Sequence, residues 1–162
     1  MFPDKSHESK QQGMPWPLRK ILGLANVSLH LQQKTFSEEK GEVTSILAKQ
    51  VVSPGGFNSE DSYILDAQTR EATVPIFGTV SVKTSYVPVA QLEDADFQKR
   101  IKTGGGDVVI REVVENKKNG WVTEGTWGFE EIGGERRFTR TSITTTPGDQ
   151  TVARLVYDFK PE

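Results

Sequence analysis

The chain of 162 residues contains no cysteine. That absence excludes a disulfide scaffold, a thiol nucleophile and a zinc ribbon together, and it leans toward a reducing compartment. Histidine is almost as scarce, with His7 in a polar N-terminal stretch and His30 further on. A single histidine outside that stretch argues against a metal site, which usually draws on three or four ligands. Heme ligation through His30 is an outlying reading. Basic excess is missing too: 20 Lys and Arg stand against 22 Asp and Glu, a formal net charge of −2. With no basic stripe, nucleic acid is not an expected partner. No apolar run approaches the roughly 20 residues that a membrane helix needs, so membrane insertion is not expected either. Hydrophobic residues make up only 35%. They are nevertheless regularly spaced, and the Val and Thr content suits strands.

The length corresponds to one domain, and a chain of this size buries about 70% of its unfolded surface. Residues 1–15 are expected to form a disordered tail, because Asp4, Lys5, Ser6, His7, Glu8 and Lys10 offer little surface to bury. The mixed charges, with no long apolar segment behind them, do not read as a secretory signal. A cytoplasmic location is expected. Residues 16–162 are expected to be the single folded domain. Leu18, Ile21, Leu22 and Ala25 recur at helical spacing after Pro17, which suits a first helical turn. They predict a short N-terminal helix that plugs one end of the main body.

The clearest architecture lies between Asp107 and Lys160. Strands are predicted at Val108–Glu115, Trp121–Glu131, Arg136–Thr145 and Thr151–Lys160. Lys118-Asn119-Gly120, Ile132-Gly133-Gly134 and Pro147-Gly148-Asp149 separate them as turns. Upstream, strands are predicted at Val27–Thr35, Glu42–Val52, Ser62–Asp66 and about Ile76–Val89, with Pro88 ending the last. A second short helix is predicted over Leu92–Lys102, capped by Asp94. Gly104-Gly105-Gly106 precedes a strand and lacks a following Lys-Ser/Thr pair, so it is not a phosphate loop. It reads as a hinge or lid. The fold predicted is all-β: an antiparallel up-and-down barrel of about eight strands, with one short helix before it and one within it. Eight strands leave room for packed side chains or one small ligand.

Candidate site residues follow from shared strand faces. Trp121, Thr123, Trp127 and Phe129 share one face, with Gly125 removing volume between the two tryptophans. Leu155 and Tyr157 share another. Together they predict an aromatic-lined cavity for an apolar ligand; the alternative is that they fill a solid core. Glu112 lies on the face of Val108, Ile110 and Val114, and Arg140 on that of Phe138. An inward Glu112–Arg140 pair would orient a polar group or serve acid–base chemistry. An outward one would be an ordinary cross-strand surface pair. An inward His30 would be the natural acid or base, histidine being the side chain suited to that role near neutral pH, but Val27, Leu29 and Leu31 occupy the other face of its strand, which favours a solvated His30. Tyr63 and Tyr86 are further donors.

Asn119-Gly120-Trp121 through Trp127-Gly128-Phe129-Glu130-Glu131, then Gly134-Glu135-Arg136-Arg137-Phe138 and Leu155-Val156-Tyr157-Asp158-Phe159, resemble small lipocalin-like (calycin) proteins of filamentous fungi. Some of these resemble accessory proteins of secondary-metabolite pathways. The resemblance implies a cofactor-free, pericyclase-like cyclase or isomerase acting on an apolar metabolite. His30, Tyr86, Glu112 and Arg140 are its candidate catalytic groups, and it is expected to be a monomer or homodimer. Two alternatives stay open. One is a carrier that sequesters a hydrophobic small molecule without turnover, and the other is an interaction module with a solid core.

Overall fold

A computed structural model describes residues 26–53, 56–74 and 77–161. The tail and the N-terminal helix expected from the sequence lie outside the described residues. Among the described residues nine strands follow in chain order, each paired antiparallel to its neighbours within a sheet: β1 (Asn26–Glu38), β2 (Gly41–Ser53), β3 (Phe57–Ile64), β4 (Thr69–Val74), β5 (Gly78–Pro88), β6 (Val108–Asn116), β7 (Trp121–Ile132), β8 (Glu135–Thr146) and β9 (Asp149–Tyr157). They form a three-stranded sheet, β1-β2-β3, and a six-stranded sheet, β4-β5-β6-β7-β8-β9. The predicted meander is present with its turns in place, and Gly133 and Gly134 both adopt the positive φ that the tight β7–β8 turn requires.

The closed eight-stranded barrel is not what the ladders make. Among the described residues no ladder joins β9 to β1, or β3 to β4, so the strands form two sheets rather than one ring. The strand missing from the sequence reading is β4, whose TREATV carries no alternating apolar pattern and is exposed at its first five positions. Such a charged, exposed edge strand gives no period-2 signal to read. β3 also begins earlier than Ser62, at Phe57. The last strand stops at Tyr157, leaving Phe159 90% exposed.

The two sheets meet at a corner. Leu65 N–H donates to the Thr44 carbonyl at 2.9 Å, the Thr84 hydroxyl to the Ile64 carbonyl at 2.9 Å, and Ala67 N–H to the Thr84 carbonyl at 2.9 Å. Ala67 turns the chain with φ of 61°. The Arg70 guanidinium bonds both oxygens of Asp66 just beside it. That contact foremost holds the Asp66 carboxyl down at about 2.

Two apolar clusters occupy opposite faces of the six-stranded sheet. One lies between the sheets, where Ile46 and Leu65 pack on Trp127, flanked by Tyr63, Ile110 and Phe138. The other lies on the outer face beneath helix α1 (Ala95–Thr103), where Val89, Phe97, Ile101 and Val109 pack together. Asp94 caps α1 as expected, its carboxylate accepting from Phe97 N–H at 2.9 Å. Val87 and Leu92 flank this cluster.

The three glycines after α1, read from the sequence as a hinge or lid, form the end of the helix. Gly104 N–H donates to the Arg100 carbonyl at 3.0 Å and Gly106 N–H to the Ile101 carbonyl at 3.1 Å, closing the helix end. A Cβ on Gly104 would stand 2.7 Å from the Phe129 carbonyl oxygen, and one on Gly128 would stand 2.6 Å from Ile101 Cδ1. The helix therefore lies directly on the backbone of β7.

Candidate active site

The inner face of the six-stranded sheet is built in cross-strand rows, because paired residues of an antiparallel sheet share a face. One row runs Tyr86, Ile110, Trp127, Arg140, Leu155 across β5 to β9. The next runs Thr84, Glu112, Gly125, Ser142, Ala153. A third, at the other side of the Trp127 row, runs Phe129, Phe138, Tyr157 across β7 to β9. From the opposite sheet, Tyr63 of β3 meets Trp127 edge to face, with ring centroids 4.9 Å apart. Asp61 lies two residues before Tyr63 on the same strand, and therefore on the same face.

Glu112 and Arg140 come together inward, with side chains 11% and 15% exposed. Glu112 Oε2 accepts from Trp127 Nε1 at 3.1 Å and from Arg140 Nη2 at 3.5 Å. The Arg140 guanidinium also lies over the Trp127 ring, 4.3 Å from its centroid. The cation is thus held by a carboxylate and a π face together. Phe129, Phe138 and Tyr157 continue as an aromatic row, with centroids 5.3 and 5.7 Å apart. The Tyr157 hydroxyl is buried and, among the described residues, bonds to no acceptor.

The charges respond to this burial. Burial pushes the Glu112 carboxyl above its usual range, and Asp61 adds to the push. Arg140 and the Trp127 N–H oppose it without winning. Burial works against the Arg140 cation, yet Glu112 first, then Tyr157 and Tyr63, more than offset it, so the guanidinium stays charged. Burial raises the Tyr63 phenol well above the ordinary phenol range, with Glu112 and Asp61 reinforcing it against Arg140. Tyr157 is raised by burial too, again against Arg140. At neutral pH the inner face therefore presents a guanidinium and two protonated phenols around one indole. This arrangement can donate hydrogen bonds to a substrate oxygen in a water-poor setting.

The remaining residues singled out in the sequence lie at the rim of this arrangement or away from it. Trp121 is 2% exposed and packs edge-on against Phe77, with centroids 5.9 Å apart. It sits six residues, about 20 Å of strand, from Trp127. Thr123 shares a 2.8 Å hydroxyl contact with Thr144. Phe129 is 42% exposed, with the Arg136 guanidinium 3.9 Å over its ring. Tyr86, also 42% exposed, begins the Trp127 row two strands away, at the rim. His30 is exposed on β1 and lines a surface groove of about 220 Å³ with Leu31, Gln32, Leu47 and Lys49. It does not join Glu112 and Arg140. Asp61 escaped notice in the sequence because its segment reads as a loop. Ser59, Asp61 and Tyr63 in alternation were the available signal.

Among the described residues, no group of three or more His, Cys, Asp or Glu side chains is placed to hold a metal ion, and no helix is long and apolar enough to cross a membrane.

Relatives of this chain have been described in fungi. The protein named probable pericyclase scpY of Mollisia scopiformis is 35% identical over 154 residues, covering 91% of this chain and 78% of the relative. Pericyclase pydY of an Acremonium species is 28% identical over 149 residues, covering 91% of this chain and 80% of the relative. No family model matches the chain. No solved structure matches it.

Proposed function

Because the chain belongs to the family of fungal proteins named pericyclases, we propose that it is itself a cofactor-free pericyclase. On this reading it cyclises an apolar metabolite held between its two sheets, which act as opposite walls of a lipocalin-like interior. A pericyclic step makes and breaks its bonds in one cyclic shift of electrons. It consumes no proton and no electron. What a protein can add is a folded, near-attack conformer of a flexible substrate, together with donors aimed at the oxygen whose charge grows in the transition state.

The observation that carries this reading is the convergence around Trp127. Arg140 and the phenols of Tyr63 and Tyr157 stay protonated in a buried, aromatic setting. The Tyr157 hydroxyl has no acceptor among the described residues, and a substrate carbonyl would supply one. Hydrogen bonding there withdraws electron density from a conjugated system and lowers its barrier. Trp127, Phe129, Phe138 and Leu155 would contact the apolar remainder. Glu112 fixes Arg140 and the indole in place.

The test is conversion. Purified protein incubated with extract from a producing strain lacking the gene should yield a product of unchanged mass and altered retention. Trp127→Ala should abolish that conversion, and Tyr157→Phe should slow it by a factor of about 100, the loss of one well-placed donor. Quenching of tryptophan fluorescence by a component that is never converted would replace the catalyst with a carrier.

A further inference from the structure

We propose that Glu112 is a general base that takes a proton from carbon, giving this site a second activity: isomerisation of a substrate with a C–H beside a carbonyl. The inference rests on the reading of the inner face as the substrate site. A pericyclic closure moves no proton and needs no base, so it calls on Glu112 only to hold Arg140 and the indole in place. Placing one in an apolar interior is costly unless it is fully paired or used.

Glu112 is not fully paired. Among the described residues its Oε2 takes both contacts, from Trp127 and Arg140, and Oε1 takes none. The same sheet shows what a purely structural carboxylate looks like. Glu130, on the outer face, has Oε1 bonded by Arg100 at 2.6 Å and by Arg154 at 2.7 Å, and Oε2 bonded by the Thr139 hydroxyl. The ladder position opposite Glu112 also leaves room for a methyl group beside the carboxyl. Gly125 stands directly across from it in the ladder, and a Cβ there would lie 3.5 Å from Glu112 Oε2 and 3.7 Å from Trp127 Nε1. The groups facing this carboxyl are Arg140 of β8 and Asp61 and Tyr63 of β3, with Tyr157 of β9 behind Arg140. Burial and Asp61 make Glu112 a stronger base than an exposed carboxylate.

The step balances within the substrate. Glu112 Oε1 accepts the proton from the carbon next to the carbonyl. In a β,γ-unsaturated carbonyl substrate the C–H electron pair becomes the Cα=C bond of a dienolate, conjugated with the existing β,γ double bond, whose oxygen faces Arg140 and the Tyr157 hydroxyl. The same proton then returns from Glu112 to the γ-carbon, and the double bond has moved. Substrate and product are isomers, and the carboxylate is regenerated. Such a shift would set the position of a diene before ring closure.

The probe is 5-nitrobenzisoxazole. Removal of its one acidic ring C–H by a carboxylate breaks the N–O bond and releases coloured 2-cyano-4-nitrophenolate, with no other reagent. The full chain should turn it over faster than acetate at equal pH, and the rate should rise with pH through a midpoint above the ordinary carboxylate range. Glu112→Gln should cut the rate at least about 100-fold, the usual contribution of general acid–base catalysis, and Glu112→Asp should keep part of it. Should Glu112→Gln unfold the protein, as seen by thermal melting, Gly125→Ala gives the second reading. It fills the space beside the carboxyl at ordinary contact distance and should slow the probe severalfold. A wild-type rate no better than acetate, or a folded Glu112→Gln at full rate, overturns the inference. Cyclisation of a pathway polyene with the probe left intact removes this inference alone. Probe turnover without any cyclisation removes the pericyclase reading and leaves the base.

Discussion

Glu130 and Glu112 are buried on opposite faces of one six-stranded sheet, 0% and 8% exposed, and their surroundings treat them oppositely. Burial pushes both carboxyls up. On the outer face the hydrogen bonds from Thr139, Arg100 and Arg154 outweigh it, and Glu130 ends below its usual range. On the inner face one indole N–H and one guanidinium do not outweigh it, and Glu112 ends above. The outer carboxylate ties helix α1, through Arg100, to β9, through Arg154. The inner one leaves one oxygen without a hydrogen bond from any described residue. The difference separates a carboxylate that holds the fold from one available to a ligand. It also shows that burial alone does not mark a functional acid.

The largest effect should come from breaking the outer arrangement. Arg100→Ala together with Arg154→Ala leaves Glu130 buried with only Thr139 for company. We expect a loss of about 3 kcal/mol in urea unfolding, the lower end of what breaking a buried pair costs, since both arginines are partly solvated. A loss below about 1 kcal/mol would mean that Glu130 does not anchor the helix. Next comes Gly104→Ala, which drives a methyl group toward the Phe129 carbonyl oxygen at 2.7 Å. Overpacking of this kind costs about 1–3 kcal/mol, and it should lower the melting temperature while leaving probe turnover at the inner face intact.

Glu112→Gln should remove a pH dependence of stability. The sign follows from linkage. A carboxyl raised in the folded state binds protons more tightly there than in the unfolded chain. Its contribution therefore declines as pH rises from the ordinary carboxylate value through the raised one. Glu130, held low, contributes in the opposite sense: its stabilisation is present above the unfolded value and is lost as pH falls. Urea midpoints measured across pH should lose the first slope in Glu112→Gln and keep the second. An unchanged profile would mean that Glu112 is not raised. The smallest effect is expected at His30. With His30 exposed on the outer side of β1, His30→Ala should change stability by less than about 0.5 kcal/mol and leave conversion untouched. A lost activity would move the site to the three-stranded sheet.

Much of this molecule could be read along the chain because its signals are local. The turns at Gly120, Gly133-Gly134 and Gly148, the Asp94 cap and the termination of β5 at Pro88 each depend on a few neighbouring residues. The alternation of β6 to β9 likewise placed Glu112 and Arg140 on faces that could meet. β4 stayed hidden because an exposed edge strand need not alternate, and Asp61 because its strand began in what reads as loop chemistry.

What the sequence determined by itself was a set of strands, turns and strand faces, since backbone conformation and period-2 alternation are properties of adjacent residues. Only the tertiary structure decided which faces are covered and by what. Glu130 reads as an outward polar residue in alternation with Phe129, yet α1 lies across that side and buries it. Phe129 reads as interior, yet it lies at an exposed end of its row. The ladders stop at four strand edges and do not close one ring. Each of these outcomes depends on residues far apart in the chain arriving at the same place, and no local pattern records the desolvation that follows.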